Sequence, residues 1–183
     1  TLEVSGIFAP VGAKCKVEIS KEPGSLEAEV VGFNSNVLFL MPYGPIDGIS
    51  PGAKVCVVSQ FQLVEIGETM LGRVVNGQGE PIDGKGRIRN TETCGLFGTP
   101  VNPMERGAVS EVLDTGIKAI NCCLTLGRGQ RIGLVAGSGV GKSVLLAMLA
   151  RNTDADVVII ALVGERGREV QEFVSTTLGE EGL

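Results

Sequence analysis

Apolar and polar positions alternate with a period of two through the first third of the chain. Cys15, Val17 and Ile19 alternate with Lys14, Lys16 and Glu18, and Leu26, Ala28 and Val30 alternate with Glu27, Glu29 and Val31. Each such stretch predicts a strand with one apolar and one solvated face. Glu22-Pro23-Gly24-Ser25 and Asn34-Ser35-Asn36 read as turns, and an apolar strand follows over 37–41. Pro42-Tyr43-Gly44-Pro45 ends that strand, and 54–58 supplies one more. Short strands without any helical period predict a small antiparallel barrel or sandwich. The aromatic residues Phe8, Phe33, Phe39, Tyr43 and Phe61 fall mostly at positions expected to face its core.

The pattern then changes twice. Residues 60–110 are rich in Gly, Pro and Asn, with Asn76-Gly77 and Asp83-Gly84 as tight-turn pairs. Gly84-Lys85-Gly86 has no following Ser or Thr and no helix, so it reads as loop rather than phosphate site. From 111 to 124, Val112, Ile117, Ile120 and Leu124 have helical spacing. Ile132-Gly133-Leu134-Val135 is a strand-like run, and 144–150 is a helix with almost no polar face. Arg151 and Asn152 supply a cation and a stop at its end. Residues 157–163 are nearly continuously apolar, the mark of a strand buried on both faces. Strands alternating with helices predict a parallel, helix-covered sheet. The fold class is therefore α/β with an all-β N-terminal module. A β-barrel is expected over 1–64, with its first residues missing. The first half of a recombinase-type P-loop nucleotide-binding domain is expected over 65–183.

Bulk properties narrow the classes. A net charge of −5 and a pI near 4.9 disfavour a nucleic-acid partner, which usually meets a basic face. No apolar run approaches the roughly 20 residues needed to span a bilayer. Cysteines at 15, 56, 94, 122 and 123 form no C-x-x-C pair, a pattern suited to a reducing compartment. The chain has no histidine, which removes His-based metal sites and Ser-His or Cys-His nucleophile pairs within it. Thr1 stands where an initiator Met is expected, and Gly182-Leu183 closes no element, so a piece of a longer protein is expected.

The chemistry concentrates at Ala136-Gly137-Ser138-Gly139-Val140-Gly141-Lys142-Ser143, between the 132–135 run and the 144–150 helix. Strand, glycine-rich turn, Gly-Lys-Ser and helix is the order of a phosphate-binding P-loop. The glycines let successive backbone N–H groups point inward at phosphate oxygens, and the helix N-terminus adds its own free donors. The candidate nucleotide-binding residues are Gly137, Ser138, Gly139, Val140, Gly141, Lys142, Ser143 and Val144. Lys142 would reach the β- and γ-phosphates of ATP, and the Ser143 hydroxyl would ligate Mg²⁺. Ala136 departs from the usual opening glycine, which a backbone φ below zero tolerates.

Gly164-Glu165-Arg166-Gly167-Arg168-Glu169 follows the second apolar run, where ligands of parallel sheets bind. Glu165 there can orient and polarise an attacking water, and Arg166 can neutralise phosphate charge. The same residues also read as the solvated first turn of the next helix. Composition alone does not choose between the two.

A family resemblance bears on that choice. Gly129-Gln130-Arg131-Ile132-Gly133 leading into the P-loop, with the 164–169 motif, resembles catalytic subunits related to the rotary ATP synthase β chain. Within that superfamily, the loop with Val144-Leu145-Leu146 resembles the flagellar type III protein export ATPases, or flagellum-specific ATP synthases. Leu71-Gly72-Arg73-Val74, Pro81-Ile82-Asp83-Gly84, the stretch 113–121, Phe33-Asn34 and Leu38-Phe39-Leu40-Met41-Pro42 extend the likeness over nearly the whole chain.

The resemblance implies a β-barrel, a nucleotide-binding domain and a helical C-terminal domain, working as a homohexamer with ATP sites between neighbours. It implies catalytic roles for Lys142, Glu165 and Arg166, with Mg²⁺ on Ser143. Glu rather than Gln at 165 favours a catalytic subunit over a non-catalytic one. The family's Walker B aspartate, adenine-stacking aromatic and arginine finger would follow Leu183, so this stretch alone is expected to be inactive. The implied partners are flagellar export components, regulators and chaperone–cargo complexes, at the cytoplasmic face of the membrane. Three alternatives keep the same motifs: an injectisome ATPase, a non-catalytic ring subunit, and a hexameric nucleic-acid motor.

Overall fold

The computed structural model describes residues 1–19, 24–137 and 139–183, the Glu181 side chain apart. The expected turn at Glu22-Pro23 and the loop residue Ser138 lie outside the described residues. Two units form, Thr1–Pro100 and Val101–Leu183.

In the first unit, β1 (Leu2–Ser5), β2 (Lys14–Ile19), β3 (Gly24–Asn34), β4 (Val37–Pro42) and β5 (Val55–Ser59) pair in the order β1-β4-β3-β2-β5. Every pairing is antiparallel. The alternation read from the sequence decides which side chains enter. Cys15 and Val17 of β2, Ala28 and Val30 of β3, and Leu38 and Leu40 of β4 join Ala13 in one buried cluster. Cross-strand register agrees, since Cys15 faces Ala28 and Val30 faces Leu40. A bulge between Val30 and Gly32 gives β3 one extra residue.

The aromatic residues correct the sequence reading. Phe8 is 85% exposed, Phe33, Phe61 and Tyr43 are also exposed, and only Phe39 is partly covered. On β4 the pleat gives the core to Leu38 and Leu40, which puts Phe39 on the other face. Phe33 pairs with Leu38 beside the Asn34–Asn36 turn, at the open end of the sheet. There it lines a shallow cavity of about 440 Å³ together with Phe8.

Residues 65–100, attached to the nucleotide-binding domain in the sequence reading, cluster with the first unit. β6 (Leu63–Ile66) pairs with β7 (Glu92–Gly95). Between them Arg73 and Asp83 form an ion pair at 2.6 Å, their side chains 12% and 7% exposed. Arg73 also donates to the Gly86 carbonyl, and Asp83 accepts the Val74 and Lys85 N–H groups. Lys85 Nζ donates to the Gly72 carbonyl. Gly84-Lys85-Gly86 is therefore part of a closed loop, its donors spent internally.

In the second unit, β8 (Val112–Leu113) pairs with β9 (Leu126–Gly127), and α1 (Lys118–Cys123) lies between them. The helical spacing read over 111–124 holds only from Lys118. Asp114 Oδ1 accepts the Gly116 N–H and an Asn121 amide hydrogen, and Gly116 adopts φ +68°, so the chain turns there before the helix starts. α2 (Lys142–Asn152) and α3 (Gly167–Glu172) follow, and a π-helical segment, Phe173–Leu178, continues α3. Ala147, Phe173 and Leu178 form the buried cluster, with Ile160 and Leu162 packed against it.

The two apolar runs differ from expectation in their neighbours. Among the described residues all hydrogen-bonded ladders are antiparallel, and none includes 131–137 or 157–163. Residues 157–163 are covered on one face only: Ile160 and Leu162 pack inward, while Ile159 and Val163 are each 89% exposed. A strand buried on both faces requires paired strands on each edge and helices above and below. Those neighbours are not supplied by the described residues.

Candidate nucleotide-binding site

The loop before α2 has the backbone that its glycines permit. Gly139 has φ +77°, and Gly141, which caps α2, has φ +93° and ψ 17°. Side-chain-bearing residues pay roughly 1–2 kcal/mol for that left-handed region, so glycine is required there. A Cβ built on Gly137, Gly139 or Gly141 would meet nothing within 4 Å, so the loop backbone is open to a ligand. α2 begins at Lys142, and its first bond runs from the Leu145 N–H to the Gly141 carbonyl. The free N–H groups of its first turn and the positive end of its dipole therefore face the loop.

Lys142, Ser143 and Val144 line a cavity of about 610 Å³ whose other walls include Glu165, Glu169, Glu172 and Phe173. Ile132 and Leu134, from the run before the loop, and Leu162, from the run before Glu165, floor it. Gly164, at φ +75°, turns the chain from that run into Glu165. The structure thus brings together the two motifs read from the sequence. Among the described residues, neither Lys142 nor Glu165 has an ion-pair partner.

The remaining candidates lie elsewhere. Gly137, Gly139, Val140 and Gly141 are exposed in the loop. Arg166 does not line the cavity; it is 88% exposed and sits 3.8 Å from the Glu169 carboxylate, one turn along α3. Glu169 and Glu172 are wall residues that the sequence reading missed. Their spacing of three puts them on one helix face, and that spacing was the available signal.

Three carboxylates against one lysine leave the α3 side of the cavity acidic. A polyphosphate would then lie on the loop and α2 side, where backbone N–H groups and Lys142 supply the positive potential. No cluster of three or more His, Cys, Asp or Glu suited to a bare metal ion occurs among the described residues. A hydroxyl such as that of Ser143, sharing a cation with phosphate oxygens, fits this donor set better than an all-protein cage.

Comparison with known proteins assigns the family. The nucleotide-binding domain of the ATP synthase alpha/beta family matches residues 116–183, and the beta-barrel domain of the same family matches residues 1–56. The chain belongs to the ATP synthase α/β family. It is 50% identical to the flagellum-specific ATP synthase of Pseudomonas aeruginosa over 185 residues, covering 100% of this chain. It is 48% identical to the protein of the same name from Salmonella typhimurium, covering 99% of this chain. The chain spans 41% and 42% of those relatives' lengths. Among solved structures it resembles the assembled ATPase EscN of the enteropathogenic E. coli type III secretion system. The TM-score is 0.81 at 33% identity, over 97% of this chain and 43% of that one. EscN in complex with its central stalk EscO is similar at a TM-score of 0.82 and 34% identity, over 96% of this chain and 44% of that chain. The fold is thus an N-terminal β-barrel domain followed by nucleotide-binding-domain sequence. No helix of the described residues is long and apolar enough to cross a membrane.

Proposed function

We propose that this chain carries the barrel and the phosphate-binding half of the ATP site of a flagellar protein-export ATPase. The observation that carries the reading is the placement of Lys142, Ser143 and Glu165 on the wall of one cavity. In this reading the barrel is 1–64 and the nucleotide-binding domain starts at 65. Higher identity to the flagellum-specific relatives than to EscN supports the flagellar system over the injectisome one.

Each residue has a task set by its chemistry. The loop N–H groups, with Gly137 and Gly139 giving open approach, hold the phosphates, and Lys142 adds a point charge at the β- and γ-phosphates. The Ser143 hydroxyl is a ligand for Mg²⁺, which when bound neutralises phosphate charge. Glu165, a carboxylate lining the same cavity as Lys142, orients the attacking water and polarises it. Arg166, which caps the start of α3, supplies charge to the phosphates. The protein acts as a homohexamer whose partners are the flagellar export apparatus, its regulators and chaperone–cargo complexes, at the cytoplasmic face of the membrane. The assembled state of EscN and its complex with EscO support the ring and a stalk-like partner.

The test is Glu165→Gln in the full-length protein. The amide keeps the shape and loses the basicity, so ATP binding persists while turnover falls by about a hundredfold or more. Turnover at the wild-type rate would remove Glu165 from the reaction.

A further inference from the structure

Helices α2 and α3 both start at the cavity, whose walls follow them as far as Leu149 and Thr177. Lys142 and Ser143 open α2, and Glu165 stands just before α3. At the far end, in the last turn of α2, Arg151 Nη1 donates to the Thr177 carbonyl at 2.9 Å and the Leu178 carbonyl at 3.2 Å. Those two residues close the π-helical continuation of α3. The last carbonyls of a helix have no donor within it, and the negative end of its dipole gathers there. A single cation answers both needs. The stem of Arg151 is also packed: a Cβ on Gly182 would lie 3.1 Å from its Cγ.

Beside the cavity the two helices pack through Ala147, Phe173 and Leu178. Ala147 is fully buried and is the middle residue of α2. Lys142 and Asn152 each lie about 7 Å from it along the axis, at roughly 1.5 Å per residue. Because α2 is one continuous helix from Lys142 to Asn152, a shift at its Arg151 end changes where Lys142 sits.

We propose that Arg151 is a positioning residue for the nucleotide site, latching the far end of α2 to the end of α3 and so fixing how Lys142 and Ser143 sit relative to Glu165. This rests on the reading of those three residues as the phosphate and water site. Binding of ATP draws chiefly on the loop and α2, with Arg166 a single added charge from the α3 side. Hydrolysis uses both helices. Loss of the latch should then reach kcat and largely spare affinity.

The experiment compares wild type, Arg151→Ala and Arg151→Lys in the full-length protein. Steady-state hydrolysis is measured alongside equilibrium binding of ATP, with thermal melting as the folding check. A misplacement near 1 Å costs about a hundredfold in rate, so the alanine variant should lose about tenfold to a hundredfold in kcat. Its ATP affinity should stay within about threefold of wild type. Lysine keeps a charged donor at the two carbonyls and should recover most of the rate. The proposal is overturned if the alanine variant keeps kcat within about twofold, or if rate and affinity fall together by the same factor. Should Arg151→Ala not fold, Arg151→Lys and Arg151→Gln are compared in the same assay. A faster lysine variant supports the latch, and equal rates overturn it. Lys142→Ala separates the two layers. If it binds ATP like wild type, the site reading itself fails; if it does not, a normal kcat in Arg151→Ala removes only the latch.

Discussion

Replacing Gly141 by alanine tests whether the loop is held in the backbone conformation its glycines permit. Gly141 sits at φ +93°, and a Cβ there would touch nothing within 4 Å, so the cost comes from the backbone and not from a clash. The left-handed region costs an alanine roughly 1–2 kcal/mol. The less flexible unfolded chain returns about 0.4–1 kcal/mol, leaving a net loss near 1 kcal/mol. Gly137 is the internal control. It has open space around it and no positive φ, so Gly137→Ala should keep or slightly raise stability.

Native-state hydrogen exchange at the Leu145 amide reads this locally, because that N–H bonds to the Gly141 carbonyl at 2.9 Å. Exchange there should quicken about fivefold in Gly141→Ala, the rate equivalent of about 1 kcal/mol. If the loop escapes strain by changing shape, exchange stays slow and ATP affinity falls by a similar factor instead. The two losses share one strain energy, so at least one must appear. Unchanged exchange together with unchanged affinity would refute the left-handed cap.

Two further outcomes follow from the packing and the charges. Leu40→Ala removes a fully buried side chain from the barrel cluster and should cost about 2–5 kcal/mol, read from the urea transition of the barrel's strand signal. Hydrogen bonds from Arg73 first, and then from the Lys85 and Val74 N–H groups, hold the Asp83 carboxyl well below the usual carboxylate range. The Gly116 N–H and the Asn121 amide lower Asp114 in the same sense. Carboxyls depressed on folding stabilise fully above their unfolded pKa of about 3.9 and lose that contribution as pH falls through the folded value. Acid titration below pH of about 4 should therefore be flatter in Asp83→Asn and Asp114→Asn than in wild type.

Where local pattern and tertiary neighbours agree, the sequence was sufficient. The alternation on β2, β3 and β4 depends only on the pleat and one apolar face; β2 and β4 were legible nearly to the residue, while β3 extends through Gly24, Ser25 and Asn34, which read as turns. The course of the glycine-rich loop was legible because glycine takes the left-handed conformations at 139 and 141 at least cost, and because α2 starts at Lys142. β1 was missed because Leu2 and Val4 give too short an alternation to stand out, and it is fixed by pairing with β4. The aromatic residues were misplaced because hydrophobicity says what burial would favour, not whether the sheet extends over them. The runs at 132–135 and 157–163 show the same gap, since an apolar run does not name its neighbours. The spacing of Glu169 and Glu172 gives them one helix face, but the turn at Gly164 and the course of α3 decide that this face meets the cavity.

The central claim is that the cavity between α2 and α3 is an ATP site organised by Lys142. Its most direct test is equilibrium binding of ATP with Mg²⁺ to the full-length protein, wild type against Lys142→Ala, with folding confirmed for both. Saturable binding in the wild type and an affinity loss of about a hundredfold in the variant are expected, since a charge-assisted phosphate contact is removed. Equal affinities in two folded proteins would contradict the account.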